Sequence, residues 1–194
     1  MAARRTSLVQ QVAEASKGVL TLAKVGTGWP ADGKVCFGSG EAPVRVYLGV
    51  IGDSHRGRDD ERRFQNPASG RAIEPLDGAI CLLLGVVKAG TSRDPVVVAM
   101  DAYRRVGLET RFSMFMPASL LAEAADTGYA EHSTQTGETL VAFKASRLAD
   151  YLAKVIDIRS AGLSWSEKDF GPPPPSNDRL AAVSYTHLDV YKRQ

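Results

Sequence analysis

Cysteine is nearly absent: Cys36 and Cys81 are the only two, and they form no Cys-x-x-Cys pair. That argues against a thiolate zinc cluster and against a disulfide scaffold, since both need several cysteines at set spacings. Cys81 falls inside an apolar run and reads as a small buried hydrophobe. No stretch approaches the roughly 18 consecutive apolar residues of a membrane-spanning helix. No secretory leader is expected either, because Ala2-Ala3-Arg4-Arg5 precedes an amphipathic segment and not an apolar one. Neither sign of charge dominates: Lys and Arg number 24 against 22 Asp and Glu. This balance excludes a generally basic DNA-coating protein but leaves room for a local basic patch. Glycine-rich phosphate loops, internal repeats and heptads are also lacking. The expectation is a soluble, cytoplasmic chain with no membrane partner, no metal and no cofactor.

The C-terminal end stands apart in composition. Residues 183–194 back-translate into two inverted transposon mosaic ends joined head to head, so residues 182–194 resemble a translated sequencing adapter and are set aside. Without Asp189, Lys192 and Arg193 the charged residues number 22 basic and 21 acidic. About 180 residues remain, one ordinary domain on the usual prior and long enough to bury a core unaided. Pro172-Pro173-Pro174-Pro175 cannot pack or continue a helix. The expected organisation is one domain over residues 1–163, a Pro-rich linker over 164–181, and a natural C-terminal effector domain missing after it.

Apolar periodicity orders the rest. Thr6 or Ser7 is placed to cap a helix running to about Ser16, with Gly18 as its stop. Residues 19–25 are ambiguous between strand and helix, and residues 26–40 read as turns with Cys36-Phe37 as a short edge strand. Residues 44–51 form the first clear strand, with residues 62–65 as a short partner. Residues 79–87 and 95–101 are continuous apolar strands, expected as a central hairpin covered on both faces. Residues 111–115 alternate like a strand. Pro117 starts a helix with Leu120, Leu121, Ala124 and Ala125 on one face. Residues 129–134 and 139–143 flank a hairpin turn, and Ser146 caps a last helix. The class is α+β: a bent mixed or antiparallel sheet of about six to seven strands, able to curl into a half-barrel, with flanking helices.

The sharpest chemistry lies where the first clear strand ends, in Gly52-Asp53-Ser54-His55-Arg56-Gly57-Arg58. Guanidinium forks fit phosphate oxygens, or the O6/N7 edge of guanine, in bidentate geometry. The same loop has a plainer reading as a solvated tip whose arginines pair with Asp59, Asp60 and Glu61. Asp101 with Arg104 and Arg105 can line a binding edge or make a local salt bridge of small worth. Ser54 after Gly52-Asp53 also resembles the nucleophile block of GDS-type esterases, but no Asp-x-x-His base is present. A metal nuclease would need Glu-x-Lys or Asp-x-Lys on a strand after Asp101, and none follows. The chain therefore reads as non-catalytic by itself, with a protein-interaction scaffold or a GDS-type serine hydrolase using Ser54 as the alternatives.

Taken in order, these features resemble a methylase-associated N-terminal module of prokaryotic restriction endonucleases, found ahead of HNH or other nuclease domains. The residues that carry the resemblance are Val46-Tyr47-Leu48-Gly49-Val50-Ile51-Gly52, then Ser54-His55 with Gly57, then Glu61-Arg62-Arg63-Phe64-Gln65. Leu82-Leu83-Leu84-Gly85, Asp101 with its basic pair, Gly128-Tyr129, Thr136-Gly137-Glu138, Ala142-Phe143 and Leu148 to Leu152 follow in the same order. Arg56, Arg62 and residues 112–118 depart from the pattern. The resemblance implies recognition of double-stranded DNA, modified DNA included, with cleavage left to a separate domain. His55, Arg56, Arg58, Arg63 and Gln65 are the residues expected to contact DNA, with Arg104 and Arg105 on phosphates.

Overall fold

A computed structural model describes residues 2–23, 29–37, 40–67, 72–87, 92–108 and 110–160. The expected linker, adapter and effector domain lie outside these residues. One strand organises the sheet. β3 (Gly40–Asp53) is 14 residues long, and its apolar run serves three neighbours in turn. Its first half pairs antiparallel with β2 (Ala31–Phe37). Residues 44–51 pair in parallel with β5 (Ile80–Val87). Its last residues, Ile51 to Asp53, pair antiparallel with β4 (Glu61–Gln65). The main path runs β1 (Leu20–Leu22), β2, β3, β5, β6 (Val96–Met100), β9 (Thr139–Lys144), β8 (Tyr129–Ser133). β4 and β7 (Ser113–Pro117) branch from the far end of β3. The class is α+β and the sheet is mixed and open.

Among the described residues the sheet holds nine strands against the six to seven expected, and β1 and β2 occupy a stretch rich in turn residues. Asp32-Gly33 makes no turn there. Arg45 clamps Asp32 with two hydrogen bonds, at 2.7 and 3.1 Å. A Cβ on Gly33 would stand 2.3 Å from the Thr21 carbonyl oxygen, so the bare backbone is what lets β1 approach. Tertiary pairing overrides local turn propensity here.

Alternation sorts the side chains into two cores, since successive strand residues point to opposite faces. On one face Val44, Val46, Leu48, Leu82, Leu84, Val97 and Phe143 meet two helices, α1 (Ala2–Ala15) and α3 (Leu148–Ser160). Phe143 stacks on Tyr151 at 4.9 Å. On the other face Tyr47, Ile51, Leu83, Val98 and Leu140 meet α2 (Ala118–Thr127) and the inner side of β4 and β7. Each fully buried large apolar side chain is worth roughly 1.5–3 kcal/mol. The expected β5–β6 hairpin forms, buried on both faces.

Helix ends follow their signals with two exceptions. Pro117 opens α2, and Gly128, at φ 87°, closes it by donating to the Ala124 carbonyl at 2.9 Å. α1 begins at Ala2, ahead of Thr6 and Ser7. Ser146 does not cap the last helix: its N–H and hydroxyl both bond the Asp94 carboxylate, at 2.9 and 2.7 Å, and α3 starts at Leu148 after a 3₁₀ turn.

Candidate nucleic-acid interface

The loop after β3 is anchored from below. Ser54 is only 2% exposed, and its hydroxyl accepts the Arg56 N–H at 3.3 Å. His55 (φ 57°) and Gly57 (φ 68°) both take the left-handed conformation, which turns the chain sharply back. The Ala118 N–H bonds the Asp60 carbonyl at 2.6 Å, tying the loop to the start of α2. His55, Arg56 and Arg58 are exposed.

All five residues of β4 pair antiparallel with β7, with Arg63 opposite Phe115 and Gln65 opposite Ser113. Phe64 and Met116 point into the core, so alternation places Arg63, Gln65, Ser113 and Phe115 together on the outer face. That face is organised. The Arg56 guanidinium lies 3.8 Å from the centre of the Phe115 ring, a cation–π contact. Arg111 donates to Gln65 Oε1 at 2.9 Å, and Gln65 Nε2 donates to Ser113 Oγ at 3.2 Å. Asn66, buried next to Gln65, holds the start of β7 by accepting the Phe112 N–H at 2.8 Å.

The arginines divide into two groups. Arg58 pairs with Glu61 at 3.5 Å, and Arg62 with Asp53 at 3.7 Å and with the carbonyls of Asp59 and Glu61. Each of these two therefore stands beside a carboxylate, although the Arg58 side chain remains exposed. Arg56, Arg63 and Arg111 have no carboxylate partner among the described residues. The sequence alone does not single out Arg111, Ser113 and Phe115 as part of a site. The strand alternation of residues 111–115 is visible in it, but their pairing across 48 positions of chain is not.

Arg104 and Arg105, adjacent in sequence, have different surroundings. Arg104 is exposed, with its Nε 3.6 Å from Asp101 Oδ2. Arg105 is 7% exposed and forms a double bridge to Glu138, itself 2% exposed, at 2.8 and 2.6 Å. It also donates to the Asp101 carbonyl at 2.7 Å and lies over Phe112 at 5.5 Å. Its guanidinium is spent inside the fold, bracing the exit of β6 against the β8–β9 turn. Burial raises the Asp101 carboxyl above its ordinary range; the N–H groups of Tyr103 and Arg104 oppose this, and the Glu138 charge adds to it.

The family model described as Methylase-associated X1 matches residues 43–152, more than half of the chain. The chain belongs to that family. Neither a curated protein nor a solved structure matches it. The Methylase-associated X1 region runs from β3 into α3 and so contains the β4–β7 face, the loop before it and the Arg105–Glu138 brace. It is a module related to restriction and modification. No described helix of this Methylase-associated X1 protein is long and apolar enough to cross a membrane. Its described residues include no group of three or more His, Cys, Asp or Glu able to hold a metal ion.

Proposed function

We propose that this domain recognises double-stranded DNA, modified bases included among its targets, as the non-catalytic reader of a restriction–modification nuclease. Cleavage falls to a C-terminal effector domain of the same natural chain. The observation that carries this reading is the outer β4–β7 face, where Arg111 bonds Gln65, Arg56 lies over Phe115 and Arg63 stands opposite Phe115, none of the three arginines with a carboxylate partner among the described residues. Cations left unpaired on a rigid strand pair suit a polyanion, and phosphate contacts supply most of the affinity in such complexes. His55, Arg56, Arg58, Arg63 and Gln65 form the DNA-facing surface, Arg111 joins them, and Arg104 contacts a phosphate. Arg105 contributes as the internal brace.

The test is duplex DNA binding by the full chain over a range of salt. Replacing Arg56 and Arg58 together by Ala lowers affinity strongly and reduces the log–log salt slope by about 0.9 for each phosphate that is no longer neutralised, with unfolding still cooperative. Unchanged affinity in a folded double variant overturns the reading.

A protein-interaction scaffold is the second reading. It draws on four exposed apolar side chains, Leu76, Tyr103, Val106 and Leu108, on two segments joined by the Ile73–Val106 bridge. It predicts no nucleic-acid affinity even at low salt. Ser54 as a hydrolase nucleophile is disfavoured by its burial and by its role as an acceptor within the loop.

A further inference from the structure

Resting on the DNA reading above, we infer that the outer face of the β4–β7 pair lies in the major groove and reads purines there. Gln65 takes the N6/N7 edge of adenine, and Arg63 and Arg56 take the O6/N7 edge of guanine.

Four observations converge on this. First, a two-stranded ribbon is one of the two elements that fit the major groove, about 12 Å wide. β4 and β7 form a strand pair that branches off the main path of the sheet, joined to it among the described residues only where Ile51 to Asp53 of β3 meet β4. Their other face is closed, because Phe64 and Met116 are buried in the core. The exposed carboxylates Asp59 and Asp60 belong to the preceding loop; Glu61, on the same side of β4 as Arg63 and Gln65, is at the loop end of the strand and pairs with Arg58.

Second, Gln65 is oriented in advance. A guanidinium can only donate, so the contact from Arg111 identifies the amide oxygen and fixes which way the amide points. Ser113 then accepts from the amide nitrogen. One oxygen lone pair and one N–H remain for a ligand. Adenine offers a matching pair in the major groove, the N6 amino donor and the N7 acceptor.

Third, Arg56 is held in place. Its guanidinium carbon lies 3.8 Å from the centre of the Phe115 ring, and with no carboxylate partner among the described residues its N–H groups remain available for the edge of a guanine. Phe115 also supplies apolar surface of the kind that meets a thymine methyl.

Fourth, the spacing fits. Arg63 and Gln65 are alternate residues of one strand, about 6.7 Å apart at the usual rise. Two steps along a DNA strand cover about 6.8 Å. A strand lying along the groove floor therefore presents these two side chains to bases two steps apart.

The experiment enriches a randomised duplex DNA library on the full chain and on Gln65→Ala, Gln65→Glu, Arg63→Ala and Arg111→Ala. Thermal unfolding of each variant is followed alongside. The enriched duplex is then remade with 7-deazaadenine or 7-deazaguanine, which deletes the N7 acceptor and leaves base pairing and the minor groove intact. The expected result is a short purine-containing motif whose affinity drops about five- to hundred-fold on 7-deaza substitution. Gln65→Ala relaxes its adenine position. Gln65→Glu, still held by Arg111, moves the preference at that position to cytosine, whose N4 amino group donates to a carboxylate. Arg111→Ala loosens the same position without touching a base.

Absence of duplex binding by the wild-type chain at about 50 mM salt removes the DNA reading and this inference with it. Binding that persists unchanged on the 7-deaza duplex, or a motif that none of the folded variants alters, overturns groove reading alone and leaves a phosphate binder. Equal affinity for duplex RNA of the same sequence does so too, because the A-form major groove is too narrow for side chains to read.

Discussion

Gly49 stands directly across from Gly85 in the parallel β3–β5 pair, and the ring of Phe64 rests against these two bare positions. A Cβ on Gly49 would meet Phe64 Cε2 at 2.6 Å, and one on Gly85 would meet Ile51 at 2.7 Å and Phe64 at 3.1 Å. Phe64 is fully buried and lies between Arg63 and Gln65. The seat of one aromatic ring thus sets how closely the candidate DNA-facing strand lies on the sheet.

Gly49→Ala is expected to destabilise the fold by about 1–3 kcal/mol, the usual cost of overpacking a closed core. Urea unfolding measures it. Adding Phe64→Leu to Gly49→Ala restores part of the stability, because the second change removes the clashing ring. Additive destabilisation in the double variant would show that the seat does not work this way.

Glu138→Ala leaves Arg105 buried and unpaired, so a destabilisation of about 3–5 kcal/mol is expected. Arg104 and Arg105 should then separate in their effects. Arg105→Ala lowers the unfolding midpoint and leaves the salt slope of DNA binding, measured on the folded fraction, unchanged. Arg104→Ala leaves stability within about 0.5 kcal/mol and lowers that slope by about 0.9.

Phe115→Ala removes the platform beneath Arg56. An exposed cation–π contact is worth about 0.5–1 kcal/mol, so duplex affinity falls about two- to five-fold. Phe115→Trp keeps a π face and retains affinity. Fluorescence anisotropy with a labelled duplex separates the two.

Two carboxyls give opposite dependences on pH. The hydrogen bond from Arg45 holds Asp32 below its ordinary 3.8. The native state favours its ionised form, so its contribution is present above 3.8 and is lost as pH falls through the lowered native value. Asp32→Asn therefore flattens the acid limb of the stability curve. Asp101 is raised above 3.8, chiefly by burial. Its contribution is present below 3.8 and is lost as pH rises through the raised value. Asp101→Asn keeps an acceptor for the Tyr103 N–H and makes the unfolding midpoint vary less with pH above 3.8. Midpoints measured from acid to neutral pH for both variants check the two signs.

Local patterns were the legible ones. The β5–β6 and β8–β9 hairpins, the Pro117 start and Gly128 stop of α2, and the loop after β3 all rest on signals within a few residues of each other. Where a distant partner intervened, local reading failed. Asp32-Gly33 has turn chemistry yet sits in a strand, because Arg45 and the β1 backbone engage it. Ser146 has the chemistry of a helix cap yet is bonded to Asp94, 52 residues away. Arg104 and Arg105 form one basic pair in sequence, but Glu138, 33 residues from Arg105, buries only the second.

The sequence by itself determined the α+β class, the two-sided burial of β5 and β6, and the gathering of charge after β3, because these depend on residue type and short-range periodicity. Only the tertiary structure decided which arginines face outward without a carboxylate and which way Gln65 points. Those outcomes depend on strands meeting from distant parts of the chain: β7 laid against β4 supplies Phe115, Ser113 and the approach of Arg111. A guanidinium's role is set by the nearest group able to pair with it, and that neighbour exists only once the sheet has branched.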